Sequence, residues 1–335
     1  MRKTLSFFGV TVITFAVSLV LIRLVGSSIG GALSSFFRGI FGSSYAFSEV
    51  LVRATPLIFA ALGVSVGFRT GFLNIGAEGQ IYLGAIAITY VGMTFPSLPS
   101  YVMIPLALLL AFLFGGAWAV LPGLLKAKFG LSEVINTIML NYVAINLVGI
   151  LVRTSLKDPS YPYPMSPILP ASVHFPMLMS PTRLHAGLLL AILCAALVYL
   201  LMFRTSTGFC MRAVGLNSRA SLCSGIAVGN HLVLSALLSG GLAGLGGASE
   251  IAGLHHRLIE GISPSYGYLA IVVSLLGKNH PFFIILSALG IAALQVGSMA
   301  MQRSSGVPTS IASIIMGLLV VMILARKQLF GCKEA

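Results

Sequence analysis

The chain has 335 residues, of which 57% are hydrophobic and only 8% are charged, and its mean hydropathy is +1.02. A soluble domain carries roughly 25% charged residues, so this composition excludes a soluble protein. It predicts an all-α, polytopic integral membrane protein. The net charge of +13 does not indicate nucleic-acid binding, because no cluster of Lys and Arg exceeds two neighbours.

Apolar stretches predict about ten transmembrane helices, with eight or nine as alternatives because the last three stretches are short or merge. A helix needs about 20 mostly apolar residues to cross a bilayer. The predicted spans are residues 5–25, 50–68, 81–95, 101–121, 133–152, 184–203, 231–250, 265–276, 280–299 and 311–325. The composition does not shift along the chain, so we expect a single transmembrane domain over residues 1–335. A short interfacial helix is expected at residues 32–41.

The distribution of basic residues predicts the topology. With the amino terminus inside, ten spans place both termini in the cytoplasm. Twelve of the twenty Lys and Arg residues then lie on the cytoplasmic side, which is the bias that the positive-inside rule requires. In this topology a Pro-rich loop, residues 153–183, is extracytoplasmic, and a polar segment, residues 204–229, is cytoplasmic.

The segment at residues 71–80, GFLNIGAEGQ, lies between two predicted spans but has the wrong chemistry for a helix that faces lipid. Three of its residues are Gly, and Asn74, Glu78 and Gln80 are polar or charged. Backbone at membrane depth leaves regular helix only where it is buried in protein or lines a wet cavity. An acidic side chain there is a functional hypothesis by default. We therefore predict a broken helix or re-entrant turn beside a solute path.

Two more polar features fall within predicted spans. The span at residues 133–152 is unusually polar, and helical geometry places Thr137 and Asn141 on one face. Glu250 follows a Gly-rich stretch, residues 240–247, that would let a neighbouring backbone approach closely. Glu78 and Glu250 could each line a solute path or only pin a helix break, and the sequence leaves both alternatives open.

The sequence lacks the motifs of several catalytic chemistries. The only Gly-Lys pair, Gly277-Lys278, has no Walker A context, so the chain cannot hydrolyse ATP by itself. The pair His255-His256 lacks the spacing of a zinc site, and no GxSxG motif is present. We predict a transport protein that is not an enzyme and that binds no metal or cofactor of its own. An ion-coupled secondary transporter stays open as an alternative.

Four blocks of the sequence resemble the permease subunits of ABC importers of nucleosides and simple sugars. These importers work with substrate-binding lipoproteins of the basic membrane protein type. The blocks are GFLNIGAEGQ with the following IYLG, then FGLSEVINTIMLNYV at residues 129–143, RAVGLN at residues 212–217, and the stretch at residues 244–277. Their order along residues 50–280 makes the resemblance specific.

The resemblance implies the partners. ATP and Mg would be bound by separate ATP-binding cassette subunits. A second permease and an extracytoplasmic substrate-binding lipoprotein would complete the importer; the second permease is expected to be non-identical, and the sequence leaves an identical one open. The chain would lie in a bacterial cytoplasmic (inner) membrane, in contact with its lipid. Nucleosides are the expected solutes, with free bases and simple sugars such as ribose or galactose as alternatives.

The resemblance also assigns roles to residues. The segment at residues 204–229 would couple this chain to the ATPase. Its expected coupling residues are Arg204, Gly208, Arg212, Ala213, Gly215, Asn217, Ala220 and Gly225. The expected translocation path is formed by Asn74, Glu78, Gln80, Asn141 and Glu250.

Overall fold

A computed structural model of the protein describes residues 23, 28–308, 310, 311, 313, 314 and 317. The described part is helical and contains no strand, only two isolated bridges in loops, which confirms the all-α class. The predicted first span lies almost wholly outside the described residues, and so does most of the last.

Eleven α-helices follow one another in the described part. They are α1 (Ile29–Phe41), α2 (Ser44–Thr70), α3 (Ala77–Thr94), α4 (Ser100–Phe129), α5 (Glu133–Leu151), α6 (Gly187–Arg204), α7 (Ser206–Leu216), α8 (Ser218–Cys223), α9 (Val228–Glu250), α10 (Tyr266–Leu276) and α11 (Pro281–Ser305). A π-helical turn, Ile251–His255, extends α9. A short 3-10 turn, Ala171–Val173, lies in the Pro-rich loop.

Six of these helices are long and apolar enough to cross a membrane: α2, α4, α5, α6, α11, and α9 with its π-helical extension. The chain is thus a multi-pass membrane protein, but the count of about ten spans is not confirmed. The predicted eighth span is α10, whose 11 residues reach only about 16 Å against a hydrocarbon core of about 30 Å. The predicted third span belongs to α3, whose first turn carries Glu78 and Gln80.

The chain divides into two compact units, and the single-domain prediction stays a prediction. One unit comprises residues 1–51 and 289–335. In it α1 packs on the second half of α11, where the glycine at 297 lies against the ring of Phe36. The other unit, residues 52–288, holds most of α2, all of α3 to α10 and the start of α11.

In the larger unit α3 is the central helix, since 15 of its 18 residues are buried. It packs against α4, α5 and α9. Glycines permit this close approach: a Cβ placed on Gly84 would lie 2.0 Å from the carbonyl oxygen of Gly244, and one on Gly240 would lie 2.3 Å from that of Gly115. The expectation that residues 240–247 admit a neighbouring backbone is confirmed.

The Pro-rich loop is an ordered cover over the segment that follows α9. Backbone amides of Ser166, Leu169 and Phe175 donate to carbonyl oxygens of residues 252–258 at 2.8–2.9 Å. His185 is 2% exposed, and its burial, with the charge of His256 as a smaller cause, lowers its pKa to about 4.

The close contact at Gly84 leads to the first testable prediction. Gly84→Ala should lower the apparent melting temperature of the purified protein by several degrees, because its methyl group would meet the backbone of Gly244. Overpacking of this kind costs about 1–3 kcal/mol. Melting is measured as loss of the monodisperse peak in size-exclusion chromatography after heating.

The matched control is Gly290→Ala in α11, whose methyl group would meet no atom within 4 Å. Because Ala has the higher helix propensity by about 1 kcal/mol, this variant should melt at or above the wild-type temperature. Equal melting temperatures for the two variants would contradict the proposed close approach of α3 and α9.

Candidate functional site

The helix break occurs where the sequence predicts it. Helix α2 ends at Thr70, and Gly71 adopts a left-handed conformation with φ of 81°. The chain then runs without helix through residue 76, and Ala77 begins α3. Residues 77–80 are therefore the first turn of α3, so the non-helical part of the predicted segment is its first six residues. We call residues 71–76 the break.

Asn74 and Gln80 form a reciprocal amide pair inside the protein. The amide nitrogen of Asn74 donates to Oε1 of Gln80 at 2.8 Å and to Oγ of Ser239 at 2.8 Å. The amide of Gln80 donates back to Oδ1 of Asn74 at 3.0 Å, and the backbone amide of Gly76 donates to the same oxygen at 2.9 Å. The pair thus joins the break to α3 and to α9.

Asn141 holds the break from the side of α5. Its Oδ1 accepts a hydrogen bond from the backbone amide of Gly79 at 2.8 Å, and its amide nitrogen donates to the carbonyl oxygen of Ile75 at 3.0 Å. The same nitrogen lies 3.3 Å from the hydroxyl of Tyr268 on α10. Thr137, predicted on the same face, packs against the backbone of Gly76.

Glu78 binds the amino-terminal end of α10. Its Oε2 accepts a hydrogen bond from the backbone amide of Gly267 at 2.7 Å, and the carboxylate also lies beside Ser263 and Ser265. Free amides and the helix dipole make a helix amino terminus favourable for a carboxylate. In this structure Glu78 therefore anchors the half-length helix α10 to the start of α3.

An ion pair between Lys126 and Glu133 binds the first residues of the break. Nζ of Lys126 lies 2.5 Å from Oε1 of Glu133 and donates to the carbonyl oxygen of Gly71. The same carboxylate accepts from the backbone amide of Leu73 at 3.2 Å. Two charged side chains, one from the end of α4 and one from the start of α5, thus fix the first residues of the break.

Glu250 lies apart from this network. It ends α9, is 3% exposed, and its Oε2 lies 3.5 Å from Nε2 of His255. In the part of the chain that the structure describes, no hydrogen bond joins it to Asn74, Gln80 or Asn141.

The five predicted path residues are buried, none more than 3% exposed. In this conformation the polar atoms of Asn74, Glu78, Gln80 and Asn141, which lie around the break, face protein groups. Their contact with solute stays a prediction. Five partners around the break were not predicted from the sequence as site residues: Lys126, Glu133, Ser239, Ser263 and Tyr268. Of these five residues, only Lys126 and Glu133 could have been identified from the sequence, because they carry opposite charges on the two sides of a short turn.

The predicted coupling segment, residues 204–229, folds as two short helices. The side chain of Thr205 caps α7 by accepting from the amide of Gly208 at 3.1 Å. The side chain of Asn217 caps α8 by accepting from the amide of Ala220 at 3.1 Å. Because of this cap the second helix begins at Ser218.

Helix α7 touches the break through a glycine. A Cβ on Gly215 would lie 2.1 Å from the carbonyl oxygen of Arg69, and Gly215 also lies within contact distance of Gly71. Gly208 lies equally close to Leu201 at the end of α6. Of the other expected coupling residues, Arg212 and Ala213 are half-buried in α7, whereas Arg204 and Ala220 are exposed.

A cleft of about 940 Å³ opens beside this contact. Its walls are the end of α7, the start of α8, the turn between α4 and α5, and the start of α9, and Thr70 and Gly71 belong to its lining. Lys126, Glu133, Gly215, Asn217 and Arg219 supply polar groups. The cleft therefore joins the coupling segment directly to the break.

Comparison with known proteins adds a family match. Residues 46–324 match the family described as the permease component of the branched-chain amino acid transport system. The guanosine ABC transporter permease protein of Bacillus subtilis is 36% identical over 96% of this chain and 94% of its own length. The glucose ABC transporter permease protein of Haloferax volcanii is 34% identical over 85% of this chain and 77% of its own length. The nucleoside ABC transporter permease protein of Lactococcus lactis is 31% identical over 87% and 82%.

The anchor at Glu78 makes the second testable prediction. Glu78→Leu should lower the apparent melting temperature by several degrees, since it leaves the buried backbone amide of Gly267 in α10 without an acceptor. Each unsatisfied group costs about 1–3 kcal/mol. Glu78→Gln keeps an acceptor oxygen and should melt between the wild type and the Leu variant.

Glu260→Leu is the control, because Glu260 forms a largely exposed ion pair with Arg153 at 2.9 Å. An exposed pair contributes about 0–1 kcal/mol, so this variant should melt close to the wild type. A Glu78→Leu protein as stable as Glu260→Leu would contradict the anchoring role.

Proposed function

The chain belongs to the permease family of the branched-chain amino acid transport system type, and we propose from this premise that it is the membrane subunit of an ABC importer for nucleosides or related small polar solutes. The observation that carries the proposal is the similarity to a guanosine permease along nearly the whole of both chains. The ordered polar break within an apolar bundle supports it, because a soluble or purely structural protein has no need of such a feature.

The energy for transport would come from partner subunits. The sequence has no Walker A motif, so ATP and Mg would be bound by ATP-binding cassette subunits that dock at the cleft beside α7 and α8. A second, non-identical permease would complete the membrane part. An extracytoplasmic substrate-binding lipoprotein would dock on the side of the Pro-rich loop and supply most of the selectivity.

The distribution of basic residues supports the orientation. The end of the bundle that carries α7 and α8 also carries Arg69, Lys126, Lys128 and Arg204, as expected for a cytoplasmic face. We therefore propose a bacterial inner membrane location with this end in the cytoplasm and both termini on the same side.

A chain of direct contacts would carry motion from the ATPase to the solute path. A displacement of α7 acts on Arg69 and Thr70 through Gly215, because their backbones touch. The turn at residues 70–71 begins the break, and the break is bound to α3, α5 and α9 by Gln80, Asn141 and Ser239. The movement would reach α10 through the hydrogen bond between Glu78 and the backbone amide of Gly267.

In this mechanism the path near Asn74, Glu78, Gln80, Asn141 and Glu250 is closed in the present conformation and opens when α10 moves. The polar groups that now bind one another would then be free to bind a passing solute. Because each already has a protein partner, the solute gains little on replacing it. Such a path should hold solute weakly, which favours its release.

Reconstitution of the complete importer in vesicles tests the function. Uptake of radiolabelled guanosine should require the ATPase subunits, the binding protein and ATP, and it should continue in the presence of an ionophore. Uptake by this chain alone, or uptake that an ionophore abolishes, would favour an ion-coupled transporter instead.

A simple sugar is the second candidate solute, because the similar permease of Haloferax volcanii is named for glucose. Competition in the same vesicles separates the two candidates. Excess unlabelled adenosine or uridine should reduce guanosine uptake, whereas excess glucose, ribose or galactose should not. The reverse result would make the importer a sugar transporter.

The contact at Gly215 makes a further prediction. Gly215→Ala should lower the ATPase activity stimulated by the binding protein by about tenfold, because its methyl group would push α7 away from the backbone of Arg69. Coupling between sites typically amounts to 1–3 kcal/mol, or about 5–150-fold. The measurement uses the assembled importer in vesicles, with the amount of assembled complex determined in parallel.

Gly229→Ala is the matched control in the same cleft, since its methyl group would meet no atom closer than 3.8 Å. It should retain wild-type stimulation within about twofold, as expected for a change that costs a few tenths of a kcal/mol. Full stimulation in a normally assembled Gly215→Ala importer would exclude this contact as the route of coupling.

A further inference from the structure

Two guanidinium groups share one aromatic ring at the end of α6. The guanidinium carbon of Arg69 lies 4.8 Å from the centre of the Phe203 ring, and that of Arg212 lies 5.4 Å from it. Arg69 comes from the last turn of α2 and Arg212 from α7. The three helices thus bring two like charges together, close enough to repel each other.

The positive charge at this position is not balanced by the protein. Nε of Arg69 donates to the carbonyl oxygen of Asn279 at 2.6 Å, but carbonyl oxygens carry no net charge. Nη1 of Arg212 is buried and has no hydrogen-bond partner. No carboxylate of residues 28–308 forms an ion pair with either arginine. Lys278, exposed in the same turn as Asn279, adds a third positive charge.

Leaving a buried charged donor without a partner is costly. An unsatisfied buried polar group loses about 1–3 kcal/mol, and a charged group loses more. The ring of Phe203 offsets part of this loss through the cation–π interaction, which contributes about 0.5–2 kcal/mol. The ring cannot accept the hydrogen bonds of a guanidinium fork, whereas phosphate oxygens match its geometry. The arrangement therefore favours an anion with several oxygens.

The surroundings of the arginine pair are apolar and exposed. Phe282 and Phe283 at the start of α11 are 49% and 56% exposed, and Tyr199 stacks on Phe203 with ring centres 5.2 Å apart. Helices α6 and α11 are both long and apolar enough to cross a membrane. Cationic groups beside exposed aromatic rings at the ends of such helices are typical of the membrane interface.

We propose that Arg69 and Arg212 bind the phosphate of an anionic phospholipid, whose acyl chains lie against Phe282 and Phe283. The guanidinium of the half-buried Arg212 and that of Arg69 supply the positive charge for the phosphate, and the exposed Lys278 adds long-range attraction. A carboxylate of the ATPase partner is the less favoured occupant, because neither Arg69 nor Arg212 lines the cleft beside α7 and α8. This proposal concerns a lipid bound to the resting protein and does not depend on the transported solute.

Native mass spectrometry of the purified full chain, stripped of lipid in detergent, tests the proposal. Phosphatidylglycerol and phosphatidylcholine are titrated separately, and the population that carries one bound lipid is measured. The wild type should bind phosphatidylglycerol in preference to phosphatidylcholine. Arg212→Gln should weaken binding of phosphatidylglycerol by about tenfold or more, since a charge-assisted hydrogen bond contributes 1.5–3 kcal/mol.

Arg212→Lys keeps the charge but loses the planar fork, so its affinity for phosphatidylglycerol should fall between those of the other two proteins. Arg219→Gln removes an equal charge from α8, away from Phe203, and should bind like the wild type. All proteins are compared at equal monodispersity, so that a misfolded protein is excluded from the comparison. If Arg212→Lys and Arg219→Gln still bind phosphatidylglycerol, the loss of binding in Arg212→Gln comes from the loss of the positive charge at this position.

Three outcomes would overturn the proposal. Equal affinity of the wild type and Arg212→Gln for phosphatidylglycerol would exclude Arg212 as a ligand. Displacement of the lipid by inorganic phosphate at similar concentration would assign the site to a free anion. Unchanged lipid binding in Arg212→Gln together with loss of co-purifying ATPase would assign the arginine to the partner interface.

Discussion

Backbone amides and carbonyls that leave a helix inside a membrane protein must find partners within the protein, because the bilayer core contains no water. The break between α2 and α3 meets this constraint with side chains from three directions. Lys126 and Glu133 bind its first residues, Asn74 binds its end, and Asn141 binds Ile75 from α5. These polar side chains lie where the backbone of the break requires them.

The same constraint links parts of the molecule that are distant in sequence. Lys126, Glu133 and Asn141 bind the break from α4 and α5. Asn74 within the break is bound in turn to α3 and α9. The break therefore cannot move without moving one of these four helices. Glycine contacts tighten this link, since Gly84 and Gly215 leave no room for even a methyl group. An external motion applied at α7 would therefore reach the centre of the bundle through rigid contacts, which suits a subunit driven by a partner.

Several features could be predicted from the sequence because they depend on local chemistry. The apolar composition required helices, the glycines and polar residues at 71–80 required a break, and residues 240–247 required a close neighbour. The count of spans could not be predicted reliably. Hydropathy does not distinguish a half-length helix such as α10, held inside the protein by Glu78, from a complete span.

The sequence by itself determined the class of the protein, the position of the break and the family, because composition, glycine spacing and motif order are properties of a single chain. Only the tertiary structure decided which groups meet. Glu78 and Gly267 are separated by 189 positions, and Asn74 and Ser239 by 165. No local pattern encodes such pairs, since they form only when the helices pack and water is excluded from between them.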